Sequence, residues 1–174
     1  MRRAAAVVLA IAGLISAAAP AAASAAPTII VADLEGRPIA VTQIPDFYCH
    51  DRDYPRIRCF RSAEALERAR AAVVPQATDG LAAPLTASAT GDYVIVYALP
   101  GHAGSYTVLS QNYDALAFIG WNDRIQSVTG LNGASGEFYT DWYAGGYRLT
   151  FCCNAYVSSL SPTFNNAISS AYRM

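Results

Sequence analysis

An all-β sandwich is predicted for residues 91–174 by three observations. The first is an internal repeat. Six residues separate Tyr97 from Gly104, and six separate Tyr139 from Gly146. Further on, Trp121-Asn122-Asp123-Arg124-Ile125-Gln126-Ser127 matches Phe164-Asn165-Asn166-Ala167-Ile168-Ser169-Ser170. The first pair is offset by 42 residues and the second by 43, so the unit is duplicated with a single-residue insertion. The second observation is period-2 patterning, with Tyr93, Ile95 and Tyr97 alternating with Val94 and Val96. The third is turn chemistry between short apolar runs, as at Asn132-Gly133 and Gly145-Gly146.

In chain order, residues 1–25 are expected to be an export signal. Arg2 and Arg3 precede an uncharged run from Ala4 to Ala18, and Ala23-Ser24-Ala25 satisfies the small-x-small cleavage rule. The run is short of the roughly 20 apolar residues that a membrane span needs. Cleavage after Ala25 takes away two arginines and no acid, moving the formal charge from −1 to −3. A mildly acidic chain does not favour nucleic acid or anionic membrane as a partner. Residues 26–74 are expected to be a small α+β segment. Thr28 to Val41 has the pattern of a hairpin turning at Glu35-Gly36. Asp46 to Phe60 is polar and rich in Tyr, Arg and Asp, and carries no element prediction. Ser62 is placed as the N-cap of a helix ending before Pro75, with Glu64 in its first turn. The six arginines between Arg52 and Arg70 are interleaved with acids and predict an ion-paired surface. Residues 75–90 carry Pro75, Gly80 and Pro84 among small residues and are expected to be a linker.

The sandwich divides into a first motif, 91–131, and a second, 132–174. Strands are expected at Tyr93–Tyr97, Ser105–Ser110, Ile125–Leu131, Gly146–Cys152 and Ile168–Arg173. Four strands per motif would give two packed sheets, and this unit is expected to fold alone.

Export makes disulfides the expected role of Cys49, Cys59, Cys152 and Cys153. A short loop favours Cys49–Cys59, which would leave Cys152–Cys153. Neighbours on a strand point to opposite faces, so a cross-link from the N-terminal segment to the sandwich stays open. Cys49, His50 and Cys59 lack a fourth ligand at zinc-site spacing.

The aromatic-x6-Gly pair and the Asn/Asp-rich pair, each occurring twice and in order, resemble the signatures of the βγ-crystallin superfamily. The resemblance covers 91–174 and implies a Greek-key β-sandwich. In microbial members of that superfamily two such loops lie side by side and bind calcium. Carried over, the ligands would be Asn122, Asp123 and Gln126 from the first loop, with Asn165, Asn166 and Ser169 from the second. Carbonyls just after Tyr97 and Tyr139 would complete the shell, which suits a hard cation. The family has Ser or Thr at the fifth position, where this chain has Gln126. Among the six side chains only Asp123 is charged, so affinity should be weak, on the order of 0.1–1 mM.

Catalysis has little to rest on. The chain has no lysine, which removes Schiff-base and P-loop chemistry. Its two histidines, His50 and His102, have no nucleophile motif beside them. The expectation is a secreted, non-enzymatic protein that binds calcium weakly. The alternatives are a protein ligand such as a metalloproteinase-type peptidase inhibitor, and a glycan- or envelope-binding or antimicrobial module.

Overall fold

A computed structural model describes residues 28–72 and 91–174, so the expected signal and linker lie outside the described residues. The N-terminal hairpin forms as predicted. Strands β1 (Val31–Leu34) and β2 (Arg37–Ile39) pair antiparallel across Glu35-Gly36. Asp33 Oδ1 accepts the Gly36 N–H at 2.9 Å and closes the turn.

The stretch without a predicted element folds as a second hairpin, β3 (Tyr48–Asp53) and β4 (Arg56–Phe60). Its pattern is the period-2 alternation of a half-buried strand. Ile57 and Cys59 are fully buried while Arg56 is exposed. Cys49 and Cys59 lie opposite each other and are joined, as favoured from the sequence. Cys152 and Cys153 are free and exposed. Cys49 and Cys59 being closed on each other, the open alternative of a cross-link to the sandwich is not formed. The helix α1 (Ala63–Ala72) follows, with Ser62 Oγ accepting the Ala65 N–H at 3.2 Å.

The duplicated unit supplies β5 (Val94–Leu99), β6 (Ala103–Leu109), β7 (Ser127–Gly130), β8 (Gly136–Tyr139), β9 (Arg148–Phe151), β10 (Tyr156–Val157) and β11 (Ser170–Arg173). The strands expected from Ile125 and Ile168 start later, at Ser127 and Ser170, because the residues before them are taken up by the two repeated loops. One sheet runs β10-β7-β5-β6-β3-β4-β1-β2 and the other β11-β8-β9. Two sheets were expected; their unequal size arises because β3 joins β6 in parallel, with Tyr48 opposite Tyr106 and His50 opposite Val108. The N-terminal segment thereby extends the larger sheet.

The motifs also exchange strands. β10 of the second motif pairs with β7 of the first. In return Tyr113 of the first motif bridges Ala171 on β11, with N–H to C=O distances of 2.8 and 3.0 Å. Between the sheets lies one core, in which Val94, Val96, Trp121, Phe138 and Ile168 meet Ile44, Ile57 and Cys59. On the other face of the larger sheet, Leu66 of α1 covers Ile95, Tyr106 and Val108. The order is therefore helix, large sheet, small sheet.

Of the six arginines all but Arg68 are ion-paired among the described residues, with Arg56 near Asp33, Arg58 near Asp53 and Arg61 near Glu35. Arg52 and Arg70 do more, since both grip the Asp92 carboxylate, at 2.6 and 2.7 Å. Burial alone would raise that carboxyl, but the two guanidiniums outweigh it and hold it below its ordinary value.

Candidate functional site

The repeated glycines have the conformation the motif needs. Gly104 has φ 75° and Gly146 φ 74°, a left-handed region that costs other residues energy. A Cβ on Gly146 would clash with Thr140 Oγ1. Each hairpin can therefore fold back on itself, and its aromatic packs over the fold. Tyr97 sits 5.1 Å from His102 and 5.3 Å from Tyr106 between ring centroids, and Tyr139 sits 5.9 Å from Tyr172.

The folded hairpins bring the two Asn/Asp loops together in matched pairs of bonds. Asp123 N–H donates to the Ile168 carbonyl at 3.0 Å, and Asn166 N–H donates to the Ile125 carbonyl at 2.9 Å. Gln126 N–H donates to Tyr97 C=O at 3.0 Å, while Ser169 N–H donates to Tyr139 C=O at 2.8 Å. Asp123 and Asn166 take φ 56° and 54°, which short polar side chains tolerate better than most. The two loops are thus related by a local approximate two-fold.

Their side chains are not equivalent. Ser169 Oγ donates to Asp123 Oδ1 at 3.4 Å, joining two residues that are 46 apart in sequence. Asn122 Nδ2 donates to Asp123 Oδ2 at 2.6 Å, and its own Oδ1 accepts from the Trp142 indole N–H at 3.1 Å. On the other side, a shallow depression is lined by Asp46, Ala98, Asp123, Arg124, Gln126 and Asn166. Asn165 is exposed and makes no side-chain hydrogen bond among the described residues. Sequence reasoning missed Asp46 and Arg124. Asp46 comes from the N-terminal segment, which the duplicated unit gave no reason to place here. Arg124 is carried by the loop itself, between the residues that were singled out. Oxygen donors from carboxylate, amide and hydroxyl groups suit a hard cation, whereas Arg124 opposes one on the Gln126 side. Among the described residues no group of three or more His, Cys, Asp and Glu is clustered as a metal site. Any cation shell here would depend on amide, hydroxyl and carbonyl oxygens.

Ser105 lines the same depression, beside Pro45, whereas His102 packs away from it. Ser105 Oγ donates to the Pro45 carbonyl, and the His102 ring lies 3.8 Å from that of Tyr156 between centroids. No helix among the described residues is long and apolar enough to cross a membrane.

No family model and no curated protein matches the chain. Solved structures do. A βγ-crystallin domain from Flavobacterium johnsoniae is 26% identical, over 48% of this chain and 94% of that one, with a TM-score of 0.42. One from Clostridium beijerinckii is 19% identical, over 47% and 95%, with a TM-score of 0.42. A βγ-crystallin from an archaeon is 24% identical, over 48% and 98%, with a TM-score of 0.40. Residues 91–174, with each motif present twice and folded into paired hairpins and loops, are thus similar to βγ-crystallin domains.

Proposed function

We propose that this chain is an exported, non-enzymatic βγ-crystallin-type protein whose paired loops hold calcium weakly, more firmly at Ser169 than at Gln126. The observation that carries the reading is the meeting of Ser169 with Asp123 across the two loops. A compact hydroxyl beside the loops' one carboxylate offers oxygen to a cation without ordering a long side chain, whereas Gln126 loses rotamer freedom and has Arg124 beside it. Export is supported by the basic, then apolar, then small-residue N-terminus and by the Cys49–Cys59 bridge. Secreted material should then begin at Ala26 on N-terminal sequencing.

Calorimetric titration with calcium tests the binding. The mature protein should show a dissociation constant on the order of 0.1–1 mM. Ser169→Arg, which places a cation in the ligand position, should remove the stronger half-site, and Gln126→Ser should strengthen the weaker one. Calcium binding only the folded state raises stability by RT ln(1 + [L]/Kd), about 2.7 kcal/mol at 100 Kd. Melting curves that coincide with chelator and with about 10 mM calcium, roughly 10 to 100 Kd on that range, would refute the reading.

A second reading, glycan binding, is favoured by the aromatics of the β8–β9 hairpin. Trp142, Tyr143 and Tyr147 are 52, 68 and 70% exposed there. Aromatic faces beside Asn122 and Asp141 offer stacking and hydrogen bonding to a sugar. Co-sedimentation with insoluble polysaccharides tests it, and the bound fraction should fall in Trp142→Ala.

A further inference from the structure

Neighbouring residues on a strand point to opposite faces, which opposes a vicinal bridge. Cys152 and Cys153 escape that constraint, because β9 ends at Phe151 and the cysteines lie in the turn that follows. Cys153 and Asn154 both take left-handed φ, 61° and 64°. The turn is held from several directions. Cys153 N–H donates to the Ala134 carbonyl at 3.1 Å, Gly133 N–H donates to Asn154 Oδ1 at 2.7 Å, and Gly130 N–H donates to the Ala155 carbonyl at 2.8 Å. Both thiols are exposed, and they are the two free ones of the chain's four cysteines. The neighbouring Cys152 side chain is the main reason the Cys153 thiol is raised above its ordinary value.

We propose that Cys152 and Cys153 form a dithiol modification site that takes low-molecular-weight disulfides as substrate and closes reversibly to a vicinal disulfide. Either exposed cysteine can provide the first thiolate, and both orders end in the same bond. With Cys152 first, its Sγ attacks one sulfur of the small disulfide, breaking its S–S bond and releasing one thiol. The Cys153 thiol then loses its proton, and its sulfur attacks Cys152 Sγ. This displaces the second thiol and forms the Cys152–Cys153 bond. The pair gives up two electrons and two protons, and the oxidant leaves as two thiols. The second step has no chain to close, because its thiol is already beside the mixed disulfide. The single adduct should not accumulate.

The test equilibrates the full mature protein with oxidised and reduced glutathione over a range of ratios, then blocks remaining thiols with iodoacetamide. Trypsin releases both cysteines in one peptide, residues 149–173. As the ratio becomes oxidising, that peptide should lose both alkyl groups and be found lighter than the dithiol by two hydrogen atoms. Reducing ratios should restore both alkyl groups. Cys152→Ser and Cys153→Ser, changes at exposed positions, should each stop at a glutathione adduct. The buried Cys49–Cys59 bridge gives an internal standard for intact folding. Two alkyl groups at every ratio would overturn the proposal. So would a wild-type product that is mainly a glutathione adduct or a disulfide-linked dimer.

Discussion

His50 and Asp51 are adjacent on β3, both buried, and shifted in opposite senses. Burial lowers the His50 imidazole to about 4, with Asp53 and Asp92 acting against the shift and Arg52 and Arg58 with it. Burial raises the Asp51 carboxyl to about 6, although Ser110, Gln111 and Tyr113 hydrogen-bond it, the Tyr113 hydroxyl at 2.8 Å. Between about pH 4 and 6 the unfolded chain carries a proton on His50 and the folded chain carries one on Asp51. His50 therefore makes stability rise with pH in this window, while Asp51 makes it fall, and the two slopes oppose. For Asp51→Asn the opposing slope is gone. Its unfolding free energy should fall on acidification from pH 6 to 4 by up to about 1.4 kcal/mol per pH unit more than the parent's. Urea melts at stepped pH measure this; parallel pH profiles would show that the two groups do not oppose each other. Neither burial was legible in the sequence. Tyr48 to Phe60 is dense in charge, and composition alone gives no sign that a carboxylate will face the loop after β6.

The hairpins between paired strands divide into those that were legible and those that were not. The β8–β9 hairpin was marked by its aromatic-x6-Gly spacing, because only glycine fits at Gly146. The β3–β4 hairpin has no such mark, and its alternation at Ile57 and Cys59 is shorter and set among arginines. Gly133 is an internal comparison, having φ 67° but no atom within 4 Å of an added Cβ. Gly133→Ala should lose only the left-handed cost, roughly 1–2 kcal/mol. Gly146→Ala carries the same cost plus the clash with Thr140 and Asp141, so its loss should be the larger. Denaturant unfolding of both variants decides it, and equal losses would mean that the hairpin relaxes freely. The same logic explains why the two Asn/Asp loops were legible but their asymmetry was not. The residues at motif positions were named, but Asp46 arrives by tertiary packing.

At the scale of the molecule, the duplication predicts a unit that stands alone, but the packing ties that unit to residues 28–72. β3 pairs with β6, Asp51 caps the backbone at Ser110 and Gln111, and Asp92 is gripped by Arg52 and Arg70. Residues 28–72 and 91–174 also contribute to one core. Residues 26–174 are therefore expected to unfold in one calorimetric transition, and residues 91–174 alone to melt lower. Two separate transitions would show that the duplicated half is self-sufficient. The strand exchange has a different consequence, for what happens if the backbone is severed. A nick in the exposed turn at Asn132-Gly133 would leave β10 on one piece while its hydrogen-bonding partner β7 is on the other, and Tyr113 and Ala171 divided likewise. The two pieces would each be an incomplete template for the other. Proteolysis at that turn would give a non-covalent complex of complementary fragments that travels as one particle until denaturant parts it.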